Sequence, residues 1–151
     1  MKSIKAALAS LLRTPQVNDF VDPVLGVLAW QPSMEAWVSG QLAQDRPFHF
    51  RFIRQRKAAS PEEECLLAAR AIALSPGTLE EQVRLQLAYA TSGRSEGVRS
   101  GVSSLKICGV VFRLELGRVS GEVLLGGDPS LSSWTVWHES GIPSLAAQHW
   151  E

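Results

Sequence analysis

The sequence predicts a single α+β domain over residues 1–151, a mainly antiparallel sheet packed against a central helical pair and an N-terminal helix. Apolar and polar residues alternate in two groups of segments, one early and one late, as half-buried strands do. Between the groups lie two stretches of helical spacing with well-marked starts. Nowhere does strand alternate with helix in the manner of a doubly wound parallel sheet. The early and late groups are therefore expected to close into one sheet.

The opening element is Asp22-Pro23-Val24-Leu25-Gly26-Val27-Leu28-Ala29-Trp30. Asp-Pro starts turns, and proline keeps the residue before it out of the α region. The apolar run behind it is too short for a buried helix and ends at Gln31-Pro32-Ser33, so residues 22–30 read as one strand, apolar on both faces. Pro32 turns the chain into Glu35-Ala36-Trp37-Val38-Ser39-Gly40, the returning strand of a hairpin, with Trp30 and Trp37 packing across it. After a turn at Gln44-Asp45-Arg46-Pro47, Phe48, Phe50 and Phe52 point inward, with His49 and Arg51 outward.

Ser60-Pro61-Glu62-Glu63 supplies an N-cap, a first-turn proline and a capping-box glutamate. Leu66, Ala69, Ile72 and Ala73 form the buried stripe of that helix, which ends at Ser75-Pro76-Gly77. Thr78-Leu79-Glu80-Glu81 repeats the capping pattern, with Leu79, Val83, Leu87 and Ala90 buried. The short link predicts an antiparallel pair. Residues 93–104, with three glycines and four serines, read as a flexible crossing. The chain then turns β: residues 105–116 with Val110, Phe112 and Leu114 inward, a turn at Gly117-Arg118, residues 119–125, and residues 133–139. Residues 141–151 read as a short edge strand or a tail. Ahead of all this, Ile4, Leu8, Leu11 and Leu12 line one side of a first helix. The apolar stretch there is short for a signal peptide and has no small-residue cleavage site.

At 151 residues and 45% hydrophobic content, a core can form without disulfide or metal. The net charge is zero, which points to neither nucleic acid nor an anionic membrane as partner. Residues 1–57 carry eight Lys/Arg against four Asp/Glu, and residues 58–151 seven against eleven. The basic cluster Arg51, Arg54, Arg56 and Lys57 reads as a solvated strand end and loop. Cys65 and Cys108 form no metal or disulfide pattern and read as small buried thiols, which favours a reducing compartment. With no stretch long enough to span a membrane, a cytoplasmic protein is expected.

No catalytic, cofactor or metal motif emerges, and no cofactor is expected. Glu62, Glu63, Glu64, Glu80 and Glu81 are explained by helix N-termini. His49, His138 and His149 lack zinc-ligand spacing. His138 and Glu139 are strand neighbours and point to opposite faces, so they do not form a dyad. The glycines of Gly121-Glu122-Val123-Leu124-Leu125-Gly126-Gly127 suit strand bending and a turn rather than an anion cradle. The five tryptophans remain. Trp134 and Trp137 differ by three and lie on opposite faces, so one can be core while the other is an exposed anchor beside His138 and Glu139. Trp134, Trp137, His138 and Glu139 are the candidate partner-binding residues.

The pattern Asp22-Pro23-x-x-Gly26-x-Leu28-x-Trp30, followed by Trp37 and the Phe48 strand, resembles a group of small bacterial proteins of unknown function, several of them immunity-like companions of toxins. The resemblance covers about residues 19–54. It implies a small cytoplasmic, non-enzymatic binder whose partner is another protein, such as a toxin encoded nearby, and transfers no catalytic residue. Two alternatives stay open: a small-ligand binder or enzyme whose site forms only in three dimensions from His138, Glu139, His49 or Arg51, and a homo-oligomeric structural protein such as a homodimer.

Overall fold

The computed structural model describes residues 19–39, 48–53, 60–127 and 134–148. Eight strands form one sheet in sequence order: β1 (Phe20–Asp22), β2 (Gly26–Gln31), β3 (Ala36–Ser39), β4 (His49–Ile53), β5 (Lys106–Glu115), β6 (Arg118–Gly126), β7 (Trp134–Glu139) and β8 (Ile142–Gln148). Neighbouring strands are antiparallel except β4 and β5, which run parallel with His49 opposite Gly109 and Phe52 opposite Phe112. Parallel neighbours need a long crossover. Here it holds α1 (Glu63–Leu74), α2 (Pro76–Ala90) and α3 (Glu96–Ser103). The early and late β segments thus join as one sheet, as the alternation predicted.

The pairing registers define two faces. Leu28, Trp37, Phe50, Phe52, Val110, Phe112, Val123, Trp134, Val136 and Ala146 share the face covered by Leu66, Ala69, Ile72, Leu79, Val83 and Leu87 of the helices. The predicted stripes of α1 and α2 are therefore the ones that pack, and the phenylalanines of β4 do face inward. Trp30 and Trp37 meet edge-on with ring centres 5.5 Å apart.

Four expectations are corrected. Residues 22–30 are not one strand: Asp22 ends β1, residues 23–25 turn, and Gly26 opens β2 at φ 82°. The Asp22 carboxylate drives this, because its Oδ1 accepts from Val24 N–H at 2.9 Å and from Leu25 N–H at 2.8 Å. Both helices begin away from their predicted capping boxes, α1 behind Glu62 and α2 directly behind Ser75 with Pro76 in its first turn, so one residue separates them. The crossing at residues 93–104 contains α3, whose N-cap Ser95 accepts from Val98 N–H at 3.3 Å. Finally, Cys108 is exposed, at the irregularity between Ile107 and Gly109, while Cys65 is buried. The proposed first helix, the turn at 44–47, Arg54, Arg56, Lys57, His149 and Trp150 lie outside the described residues.

The β5–β6 and β7–β8 hairpins share one turn chemistry. Leu116-Gly117 joins β5 to β6 with φ of 51° and 75°, and Ser140-Gly141 joins β7 to β8 with 52° and 81°. Two positive φ values mark the two-residue turn that matches strand twist and favours Asn-Gly. Leu116 gains nothing from packing, being fully exposed. Leu116→Asn should therefore stabilise the fold by about 1 kcal/mol, read as a higher denaturation midpoint at unchanged slope.

Candidate functional site

The face of the sheet away from the core cluster is built by the alternate residues of each strand. It grades from buried Ala36, His49 and Val111 near the middle to part-exposed Arg113, Glu122 and Trp137, then to exposed Glu139 and Leu145 towards the β8 edge. Glu122 lies opposite Trp137 on β7, and Trp137 opposite Leu145 on β8. Arg113 and Glu122 form an ion pair across β5 and β6. Together with Glu139 and Ser144 these residues line an open groove of about 460 Å³. An aromatic face beside a charged pair and an exposed carboxylate is a surface that can anchor a partner's apolar side chain and rim it with polar contacts.

The candidate residues split between the two faces. Trp137 and Glu139 lie on the groove side. Trp134 packs in the core at 4% exposure, as alternation demands of its odd spacing from Trp137. His138 is turned inward at 1% exposure, so a contact surface here would be formed by Trp137 and Glu139 rather than by all four.

His138 is instead committed to the fold. Its Nε2 lies 2.7 Å from the Val111 carbonyl, and its Nδ1 accepts from Gly141 N–H at 3.1 Å. Those two bonds define a neutral ring with its proton on Nε2. The ring centre sits 5.0 Å from that of Phe112. The β5–β6 pairs run to Val110–Val123 and resume at Arg113–Ser120; in the gap, His138 reaches the Val111 oxygen past the bare backbone of Gly121. No sequence signal singles this role out, because alternation assigns a face but not a partner.

His49, expected outward, is 6% exposed. It lies over Gly109 of the neighbouring strand, where an added Cβ would stand 2.7 Å from its ring. Arg51 Nε donates to its Nε2 at 2.9 Å, so this ring too is neutral. Each buried histidine thus occupies the space left by a glycine opposite it.

Burial lowers the pKa of both rings, assisted at His49 by the charge of Arg51 and at His138 by that of Arg113; the Val111 carbonyl and Glu122 act the other way at His138. With the folded values below the ordinary 6.5, the unfolded chain takes up protons first as pH falls. Stability should be full above about pH 6.5 and decline below it, by up to about 1.4 kcal/mol per pH unit for each ring. Urea melts at half-unit pH steps check this; a flat profile between pH 7 and 5.5 would show that the rings are not held neutral.

His49 and Arg51 lie on β4, His138 and Glu139 three strands away on β7, and His138 faces the side opposite His49. The four groups weighed for a three-dimensional site therefore do not converge. Among the described residues no cluster of three His, Cys, Asp or Glu is placed to hold a metal. No described helix is long and apolar enough to cross a membrane. No protein-family model, curated protein or solved structure matches the chain.

Proposed function

We propose that this chain is a non-enzymatic, cytoplasmic protein-binding domain that engages its partner through the groove around Trp137. The observation supporting this reading is the grouping of Trp137, the Arg113–Glu122 pair and Glu139 on a sheet face to which no described helix packs. Within this reading the partner is a protein encoded nearby, and the immunity-like resemblance of the opening segment makes a toxin the first candidate. Trp137 enters an apolar pocket of that partner, Glu139 supplies the acidic rim, and the bound domain occludes the partner's own site.

Co-expression with the products of adjacent genes, followed by affinity purification, tests the proposal. Trp137→Ala should weaken the recovered complex by about 2–4 kcal/mol, the range of aromatic anchors, while circular dichroism stays that of the folded chain. Unchanged affinity for a neighbour-encoded partner would move the interface elsewhere, and failure to bind any of them would remove the reading. Sedimentation of the chain alone separates the homodimer alternative.

A further inference from the structure

A cavity of about 440 Å³ lies on the helix-covered side of the sheet, between α2, α3 and the start of β5. Its wall is apolar: Val83 and Leu87 from α2, Val102 from α3, then Leu105 and Ile107. The first four of these are at most 7% exposed, so the surface was prepared by the same packing that makes the core. The volume falls in the range of small-molecule sites, roughly 300–1,000 Å³.

The mouth is not apolar. Glu80 and Arg84 stand one turn apart on α2 and pair at 2.9 Å, and Arg84 also reaches the Ser103 carbonyl at 3.4 Å. That arginine is spoken for. Arg99 is not: it lies three residues before buried Val102 on α3, lines the same cavity, and its guanidinium has no side-chain or carbonyl partner among the described residues. A dry wall with one uncommitted cation at its lip, beside a second cation neutralised by its own carboxylate, is complementary to an apolar body ending in a single negative charge.

We propose that this cavity binds an amphipathic monocarboxylate, its hydrocarbon part against Val83, Leu87, Val102, Leu105 and Ile107 and its carboxylate on Arg99. The site lies on the other side of the sheet from the Trp137 groove and does not depend on the function proposed for that groove. Loss of either leaves the other standing.

Sodium decanoate, kept below its micellar concentration, serves as the probe, with 1-decanol as its uncharged counterpart. The full chain, carrying 13C-labelled methyl groups, is titrated with each and followed by NMR. Decanoate should shift the methyl signals of Val83, Leu87, Val102, Leu105 and Ile107 saturably and together. Arg99→Gln, an exposed helix-surface change, should weaken decanoate about tenfold and leave decanol unaltered. Absence of shifts at those methyls, or shifts at other sites only, overturns the proposal. So do equal affinities for decanoate and decanol, or an Arg99→Gln variant that binds decanoate as the parent does.

Discussion

Gly121→Ala should destabilise the protein by at least about 3 kcal/mol, the upper end for overpacking, and can abolish folding altogether. A Cβ at this position would overlap the Val111 carbonyl and stand 2.9 Å from His138 Nε2. Neither neighbour can yield cheaply. The carbonyl belongs to the backbone of a central strand, and the imidazole is fixed by bonds at both nitrogens. Alanine at Gly117, where nothing stands within 4 Å of an added Cβ, should lose only the positive-φ preference, about 1 kcal/mol. Guanidinium melts of the two variants check the contrast; similar losses would mean that the approach at Gly121 is not what limits it.

The second large effect is expected at Asp22, which is 1% exposed. Arg70 of α1 donates to its Oδ2 through Nε at 2.9 Å and Nη2 at 2.6 Å, a two-pronged grip on a residue 48 positions earlier. Its other oxygen holds the Val24 and Leu25 N–H groups, so one carboxylate shapes the first hairpin and fastens it to the helical layer. Burial pushes the Asp22 pKa up, but Arg70 and the two backbone N–H groups outweigh it and leave the net value below 3.8. The carboxylate therefore stabilises the fold above the unfolded value and loses that contribution only in acid, well below the range in which the histidines act. Asp22→Ala takes the acceptor from Arg70 Nε and Nη2, leaving that guanidinium its pair with Glu63, and removes the side-chain oxygen that holds the turn; it should lose about 3 kcal/mol, reduced somewhat by the partial exposure of the guanidinium. Asp22→Asn keeps an acceptor for the turn and should lose distinctly less. Equal losses would assign the whole effect to the pairing with Arg70.

How far these features could be read from the sequence follows from the range of the interactions involved. The phenylalanine strand, the stripes on α1 and α2 and the opposite facing of Trp134 and Trp137 follow from local periodicity, and all were legible. Asp22-Pro23 was legible as a turn starter, but its placement between two strands depends on what the carboxylate holds, including a helix far along the chain. The helix α3 was hidden by its glycines and serines. Its signal was a serine three residues before Val98, with Val102 four residues further on, and composition outweighed that spacing. His49 looked outward because histidine on an alternating strand usually is; the glycine opposite it belongs to a distant strand and made room for the ring. The cavity was wholly unreadable, since α2, α3 and β5 build it jointly and no one of them carries a motif.

Among the described residues, the parallel rungs between β4 and β5 are the only strand pairing that unites the two four-stranded meanders. Every other described rung joins strands separated by at most nine residues of sequence, whereas this seam waits for the whole helical excursion from Ile53 to Lys106 to be gathered in. Such long-range closure is the slow part of folding. A molecule caught with its seam open bares two strand edges, and a second molecule in the same state offers their complements. Trading meanders between copies would satisfy both, so kinetic trapping as an exchanged dimer is the characteristic hazard of this topology.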